Sequence, residues 1–388
     1  MTPTRGRQFL HTPGPTNMPD RVLRAMDRAA LDHRGPEFAA IVAACQDGLR
    51  HLYKTTRPVV IYPAAGHGAW EAALTNTSSP GDTILMAETG AFSGWWREMA
   101  ESFGITVEYL AGDWRHGADP EAIEARLAED RAGVIKAVAV VHNETSTGVT
   151  SRIADVGRAI DRASHPALFL VDNISSLASM DFRMDEWRID VAIGGAQKGL
   201  MLPPGLGFTA VSEKAFRASQ SARLPRNYWD WRAQLPDGLT PTFTCTPAVN
   251  LFFGLKESLD MLLEEGLDEV FARHARLAEA VRRAVRAWGL DLQSADPREH
   301  SNSVSAIRMP DGHDAEMVRE ACHSRANVVL AGGLRKLAGR VFRIGHLGDL
   351  NEPMILGTLA ATELALAATS APHTPGGTTA AIRYLAEN

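Results

Sequence analysis

The sequence predicts an α/β protein: a mostly parallel sheet between helices, followed by a smaller α+β unit. Three features carry that expectation. Residues 138–141, 167–171 and 191–193 are apolar without period-two alternation, as in parallel strands buried on both faces. The strands at 58–62 and 83–87 each run into a glycine-bearing turn that opens a helix. From about Glu257 the pattern changes to long amphipathic helices, at 267–289 and 314–325, with an alternating strand at 303–309 between them.

With 388 residues and 45% hydrophobic content, the chain has material for two units sharing a large core. The expected division is an arm over 1–17, a large unit over 18–256 and a small unit over 257–388. The net charge of -6 is dispersed, and no basic stripe points to nucleic acid. No apolar run approaches the roughly 18 residues of a membrane span. MTPTRGRQFLHTPGPT has basic residues but no apolar segment behind them, so it does not read as a secretory signal. Cys45, Cys245 and Cys322 are far apart and odd in number, which suits a reducing cytoplasm and gives no metal pattern.

Taken in order, HTPGPTNMPD is too rich in proline and glycine for a helix, so residues before Met18 are expected to be extended. Over 37–54, Phe38, Ile41, Val42, Cys45, Leu49 and Leu52 recur at helical spacing and bury one face. The strand at 58–62 leads into Ala65, Gly66 and His67 at a helix start, whose free N–H groups suit a phosphate. Such junctions are common, so this signal is weak alone. Phe92 opens the helix after 83–87; Trp95 and Trp96 read as packing residues, one of which could line a pocket. His142 ends the strand at 138–141 and reads as a structural histidine rather than a ligand or base.

Asp172 falls where the strand at 167–171 stops, and Lys198 follows 191–193 after Gly194-Gly195-Ala196-Gln197. Both therefore leave the carboxyl ends of strands, where open α/β sheets bind ligands. Either alone reads as a loop cap or a solvated lysine. Together they place an acid and an amine on one crevice. Arg343, in VFRIGH, offers a fork that matches a carboxylate, although a lone strand arginine is more often a surface charge.

D-x-x-S-S from Asp172, G-G-x-Q-K-G around Lys198 and P-P-G-L from Pro203 resemble the class V aminotransferases of fold type I. The resembled group contains serine-glyoxylate, aspartate-glyoxylate and alanine-glyoxylate aminotransferases, and the likeness runs from HTPGPTNMPD to RVFRIGHLG. It implies a seven-stranded sheet, a homodimer with sites at the subunit interface, and pyridoxal 5'-phosphate as cofactor. Lys198 would carry the cofactor as a Schiff base and then move the proton at the substrate's alpha carbon. Asp172 would hold the ring nitrogen protonated; opposite charges in contact at an effective dielectric of about 20 gain about 4 kcal/mol before desolvation. By the same resemblance Gly66, His67 and Gln197 bind the phosphate, Phe92 stacks on the ring, and Thr145 meets the phenolic oxygen. Thr246 would reach the phosphate in the other subunit, Arg343 the substrate's carboxylate, and Gly14 would lie against the substrate. Two departures stand out: many relatives have a hydroxyl residue where Ala65 is, and several have tyrosine where Phe243 is.

The activity so implied is a ping-pong transfer of an amino group from serine, aspartate or alanine to glyoxylate or pyruvate. HRGPEF, HNETSTGV and SMDFRMDEWRID look most like the bacterial serine-glyoxylate and aspartate-glyoxylate members. A dicarboxylate donor would want a second cation, for which Arg34, Arg335 and Lys336 are candidates. A pyridoxamine-pyruvate aminotransferase would use a second arginine where Leu334 stands. A cysteine desulfurase would need a mobile cysteine, and Cys322 sits in a predicted helix amid Met317, Val318 and Ala321. A non-catalytic sensor would have no use for Lys198, Asp172 and Arg343 together.

Overall fold

The computed structural model describes residues 6–388, so residues 1–5 of the expected arm lie outside the described residues. The chain opens with β1 (Phe9–His11), α1 (Asp20–Met26) and α2 (Pro36–Tyr53). Strand and helix then alternate through β2 (Val59–Tyr62), α3 (Gly66–Thr77), β3 (Thr83–Ala87), α4 (Ala91–Ser102), β4 (Thr106–Leu110), α5 (Pro120–Glu129) and β5 (Ile135–Val141). A ribbon of β6 (Asn143–Glu144) and β7 (Val149–Thr150) precedes α6 (Ile153–Arg162). Next come β8 (Leu168–Asp172), β9 (Val191–Gly195), β10 (Gly207–Val211), α7 (Glu213–Ser219) and α8 (Trp231–Gln234).

Seven strands make one sheet in the order β2-β10-β9-β8-β5-β3-β4. Only β10 runs against its neighbours. The absence of sequence alternation has a direct cause, because successive residues of each strand enter two different cores. Val138, Val140, Phe169 and Val171 pack with Phe38, Leu49, Val156 and Leu259 on one face. Ala137, Ala139, Leu168 and Leu170 pack with Trp70, Ala73 and Trp96 on the other. Helices on both faces thus remove most strand side chains from water, the exceptions being the edge strand β4 and Lys136 of β5.

Two long helices, α9 (Val249–Glu265) and α10 (Leu267–Ala287), lead into β11 (Asp291–Leu292), β12 (Val304–Arg308), α11 (Ala315–Ala326), β13 (Val328–Gly332), β14 (Val341–Gly345), α12 (Glu352–Ala368) and α13 (Gly377–Glu387). Leu259, Leu262 and Val270 belong to the core beneath the large sheet, whereas Leu277, Val281 and Val285 of the same helix α10 pack with Phe342, Ile344 and Ile355. The second sheet has the order β1-β13-β14-β12-β11. Its first strand comes from the arm: Phe9, Leu10 and His11 pair in parallel with Val328, Val329 and Leu330. His11 Nδ1 lies 3.1 Å from the Gly345 carbonyl, fixing where the arm leaves the sheet. The Thr12 backbone then passes so close to Gly345 that a Cβ there would be 2.4 Å from it. Pro13 and Gly14 are thereby delivered to the edge of the large sheet.

Candidate active site

Strands β2, β3, β5, β8 and β9 end on the same side of the large sheet, so the loops after them share one crevice. Asp172 is the last residue of β8, in register with Val141 of β5 and Ile193 of β9. A cavity there is lined by Gly66 and His67 from α3, Phe92 from α4, Thr145 after β5, Asp172, and Gln197 with Lys198 after β9. Seven of the ten residues singled out in the sequence thus meet in one place. Gly14 and Arg343 adjoin them through Lys198 and Thr145 respectively. Thr246 does not join them: it is exposed, on the segment leading into α9.

The mouth of α3 is built for close approach. No side chain caps this helix, although Asp119, Ser212 and Asp314 cap α5, α7 and α11. The first N–H groups of a helix have no intrahelical acceptor, and they carry the positive end of its dipole. A Cβ at Gly66 would sit 2.4 Å from Ile174 Cδ1, so glycine lets this turn lie beside the loop after β8 without moving the Ile174 side chain. His67 packs its ring 4.5 Å from Trp70, and burial holds its pKa below the usual range.

Burial dominates the charges. It pushes the Asp172 carboxyl up to about 7, against the N–H of Ile174, which donates to Oδ1 at 2.8 Å; the nearby Glu144 charge adds to the rise. The indole N–H of Trp70 has no partner of good geometry but lies near enough to favour the charged form. Burial and the Arg343 cation bring Lys198 down to about 8, while Asp172 opposes them. Its Nζ donates to the Pro13 carbonyl. Such an amine is a better nucleophile at neutral pH than a solvated lysine. Arg343 is buried, which lowers its pKa to about 10, with Glu144 supporting its charge. It donates from Nε to the Gly332 carbonyl and from a terminal nitrogen to the Thr145 carbonyl, both at 2.8 Å.

Other predicted residues go elsewhere. Arg335 forms a two-pronged pair with Glu98, at 2.7 and 2.6 Å, and lies over the Trp95 ring. Lys336 sits over Trp114, 3.8 Å from Glu88. Arg34 is exposed. Trp96 stacks on Trp70, and His142 is buried among Phe182 and Trp187, with its Nδ1 lacking a partner. The cavity also holds Trp70, Asn143 and Ser175, with Glu144 buried beside it, which the sequence reading passed over. For Asn143 and Glu144 the available signal was a run of six polar residues, His142 to Thr147, just beyond the apolar end of β5.

The family model for aminotransferase class-V matches residues 8–338. The chain belongs to the class V aminotransferases. It is 46% identical to a serine-glyoxylate aminotransferase of Methylorubrum extorquens over 99% of this chain and 97% of the relative. To an L-aspartate-glyoxylate aminotransferase of Paracoccus denitrificans it is 44% identical, over 95% and 93%. The solved structure of ureidoglycine-glyoxylate aminotransferase from Bacillus subtilis superposes with a TM-score of 0.91 at 30% identity, covering all of both chains. The chain is therefore a transaminase of fold type I, and the cofactor of such enzymes is pyridoxal phosphate. The cavity fits that group on its own terms. It offers an uncapped helix start for a phosphate, with a buried carboxyl and a buried amine lining the same cavity.

Proposed function

We propose that this transaminase moves the amino group of a small amino acid, serine foremost, to glyoxylate, with pyruvate as the second acceptor. The reading is carried by the meeting of Lys198 and Asp172 in one buried cavity with Arg343 behind it, and it is supported by the serine-glyoxylate and aspartate-glyoxylate relatives. Bound pyridoxal phosphate supplies an electron sink for the carbanion at the substrate's alpha carbon. Lys198 attaches the cofactor and afterwards moves the proton at that carbon. Asp172 holds the proton on the ring nitrogen, and its burial strengthens that contact. Gly66, His67 and Gln197 take the phosphate, Phe92 covers the ring, Thr145 donates to the phenolic oxygen, and Arg343 with Gly14 receives the amino acid's carboxylate end.

Serine leads because Arg335 and Lys336 are engaged by Glu98 and Glu88, leaving neither to meet a donor's side-chain carboxylate. The exposed Thr246 suits a residue that completes the site of a second copy, so we place the enzyme as a homodimer, working in the cytoplasm. No helix among the described residues is long and apolar enough to cross a membrane. We divide the chain at 256/257, as the sequence suggests; the helices after that point pass from one core to the other between Val270 and Leu277 of α10. Against a desulfurase stands Cys322, buried in α11 with its thiol pushed up to about 11. Leu334 packs beside Ala91 and Trp114 in the place a pyridoxamine-binding arginine would take.

A half-reaction panel tests this. The enzyme loaded with pyridoxal phosphate is mixed with serine, alanine or aspartate, without acceptor, and the loss of visible absorbance is followed. Serine and alanine are expected to bleach the band faster than aspartate. Bleaching by aspartate alone would overturn the donor assignment, and bleaching by none of the three would overturn the reaction.

A further inference from the structure

We propose that Glu144 is a positioning residue that locks the ring-covering Phe92 and the Thr145 loop into one rigid wall of the cavity. It rests on the reading of Phe92 and Thr145 given above. Glu144 is wholly buried, yet among the described residues it forms no ion pair with a lysine or arginine. Its carboxylate instead accepts from the start of α4: the N–H of Phe92 at 3.2 Å and of Ser93 at 3.1 Å. It also accepts from the N–H of Ser146 at 3.2 Å and the Ser146 hydroxyl at 2.6 Å, and that hydroxyl accepts from the N–H of Ala91 at 2.9 Å. One carboxylate thus gathers the free N–H groups of a helix start 52 residues upstream and of its own loop. Charge-assisted bonds of this kind are the strong ones, and a helix N-terminus is where an anion is most favoured.

The backbone is shaped around this group. A Cβ at Gly90 would stand 2.4 Å from both Glu144 Cγ and Ser146 Oγ, so the approach of α4 to the loop requires glycine there. Phe92 lies in the first turn of α4 and Thr145 directly after Glu144, so both cavity residues are fixed by contacts to the same carboxylate. The Arg343 bond to the Thr145 carbonyl then ties the wall to β14. Glu144 touches none of the reacting atoms. Its work is to set the tilt and height of Phe92 relative to the cofactor ring.

Two variants separate this from a mere helix cap. Glu144→Gln keeps the reach but turns one acceptor into a donor facing the Ser93 N–H; Glu144→Asp keeps the charge but withdraws it. Each apoprotein is reconstituted with pyridoxal phosphate, and three quantities are read: the dissociation constant, the visible circular dichroism per bound cofactor, and the melting temperature of the apoprotein. Both variants should bind about tenfold more weakly, with a reduced dichroism per bound cofactor, which reports how the ring is held. Wild-type affinity and dichroism beside a lowered melting temperature would overturn the proposal and leave a cap only. Should neither variant fold, Ser146→Ala removes one donor to Glu144 and must show the same dichroism loss, smaller in size, or the proposal falls. If the wild-type protein itself takes up no pyridoxal phosphate, the reading of the cavity fails first.

Discussion

Gly14 lies against the side chain of Lys198, so that a Cβ on Gly14 would stand 2.3 Å from Lys198 Cδ and 2.6 Å from Nζ. Pro13, one residue earlier, accepts the hydrogen bond from Nζ. The arm therefore sets where the amine points. Gly14→Ala would displace the flexible end of Lys198 rather than the surrounding backbone, and it would also place alanine at φ +106°, a region that side chains avoid. The fold should survive, with kcat lowered at least about tenfold and pyridoxal phosphate trapped by borohydride more slowly. Wild-type rates in this variant would show that the arm does not position Lys198.

Asp172→Asn separates two consequences of one buried carboxyl. Asparagine keeps an acceptor for the Ile174 N–H but cannot hold a proton on a ring nitrogen, so cofactor should bind while kcat falls about 10²- to 10³-fold. The folded carboxyl is raised to about 7 from 3.8. Its favourable contribution to the apoprotein is thus complete below pH 3.8 and lost as pH rises through 7. Asparagine has no such loss. The melting temperature of the Asp172→Asn apoprotein relative to wild type should climb between about pH 4 and 7 and then level off; a flat difference would mean the carboxyl is not desolvated.

Much of this arrangement was legible in the sequence, for a physical reason. Strands buried on both faces leave continuous apolar runs, so β5, β8 and β9 and the polar residues that end them stand out locally. The predicted helix over 267–289 is α10 for the same kind of reason, since its apolar stripe recurs through four turns and more. What stayed hidden depends on partners distant in sequence. The three residues of β1 are too few to show a period, and their partner strand lies beyond residue 327. Nothing near Arg335 announces Glu98, and nothing near Glu144 announces the helix start it holds. The antiparallel placement of β10 between β9 and β2 is likewise a matter of topology, not of local pattern.

Arg343→Ala removes a guanidinium that bridges β14 to the Thr145 loop and faces Lys198. The KM values for both amino acid and keto acid should rise about 10- to 100-fold, the range expected for hydrogen bonds to a charged group. Arg343→Lys keeps the charge but not the fork, and should recover only part of the loss. Two carbonyls, of Gly332 and Thr145, lose their donors in the alanine variant, so a lower melting temperature accompanies the kinetic change. An unchanged KM for both substrates would take Arg343 out of the site.

Four buried histidines should make the apoprotein sensitive to acid. His11, His142 and His274 are lowered to about 4 and His346 to about 3, with desolvation the leading cause in each. His274 shows the chemistry: Nδ1 lies 2.7 Å from the Val270 carbonyl, and Nε2 accepts the N–H of Gly348, leaving no place for a second proton. In the unfolded chain each histidine protonates near its ordinary value of 6.5. Their contribution is therefore complete above pH 6.5 and is lost as pH falls toward 4. Asp172 works in the opposite direction over much of the same range, as does Glu144, whose carboxyl is also raised by burial, but they are two groups against four. The urea midpoint of the apoprotein should accordingly fall steadily from pH 6.5 to 4.5, and more steeply in Asp172→Asn, where one of the opposing groups is gone. A midpoint that rises on acidification would mean that these rings take up protons in the folded state.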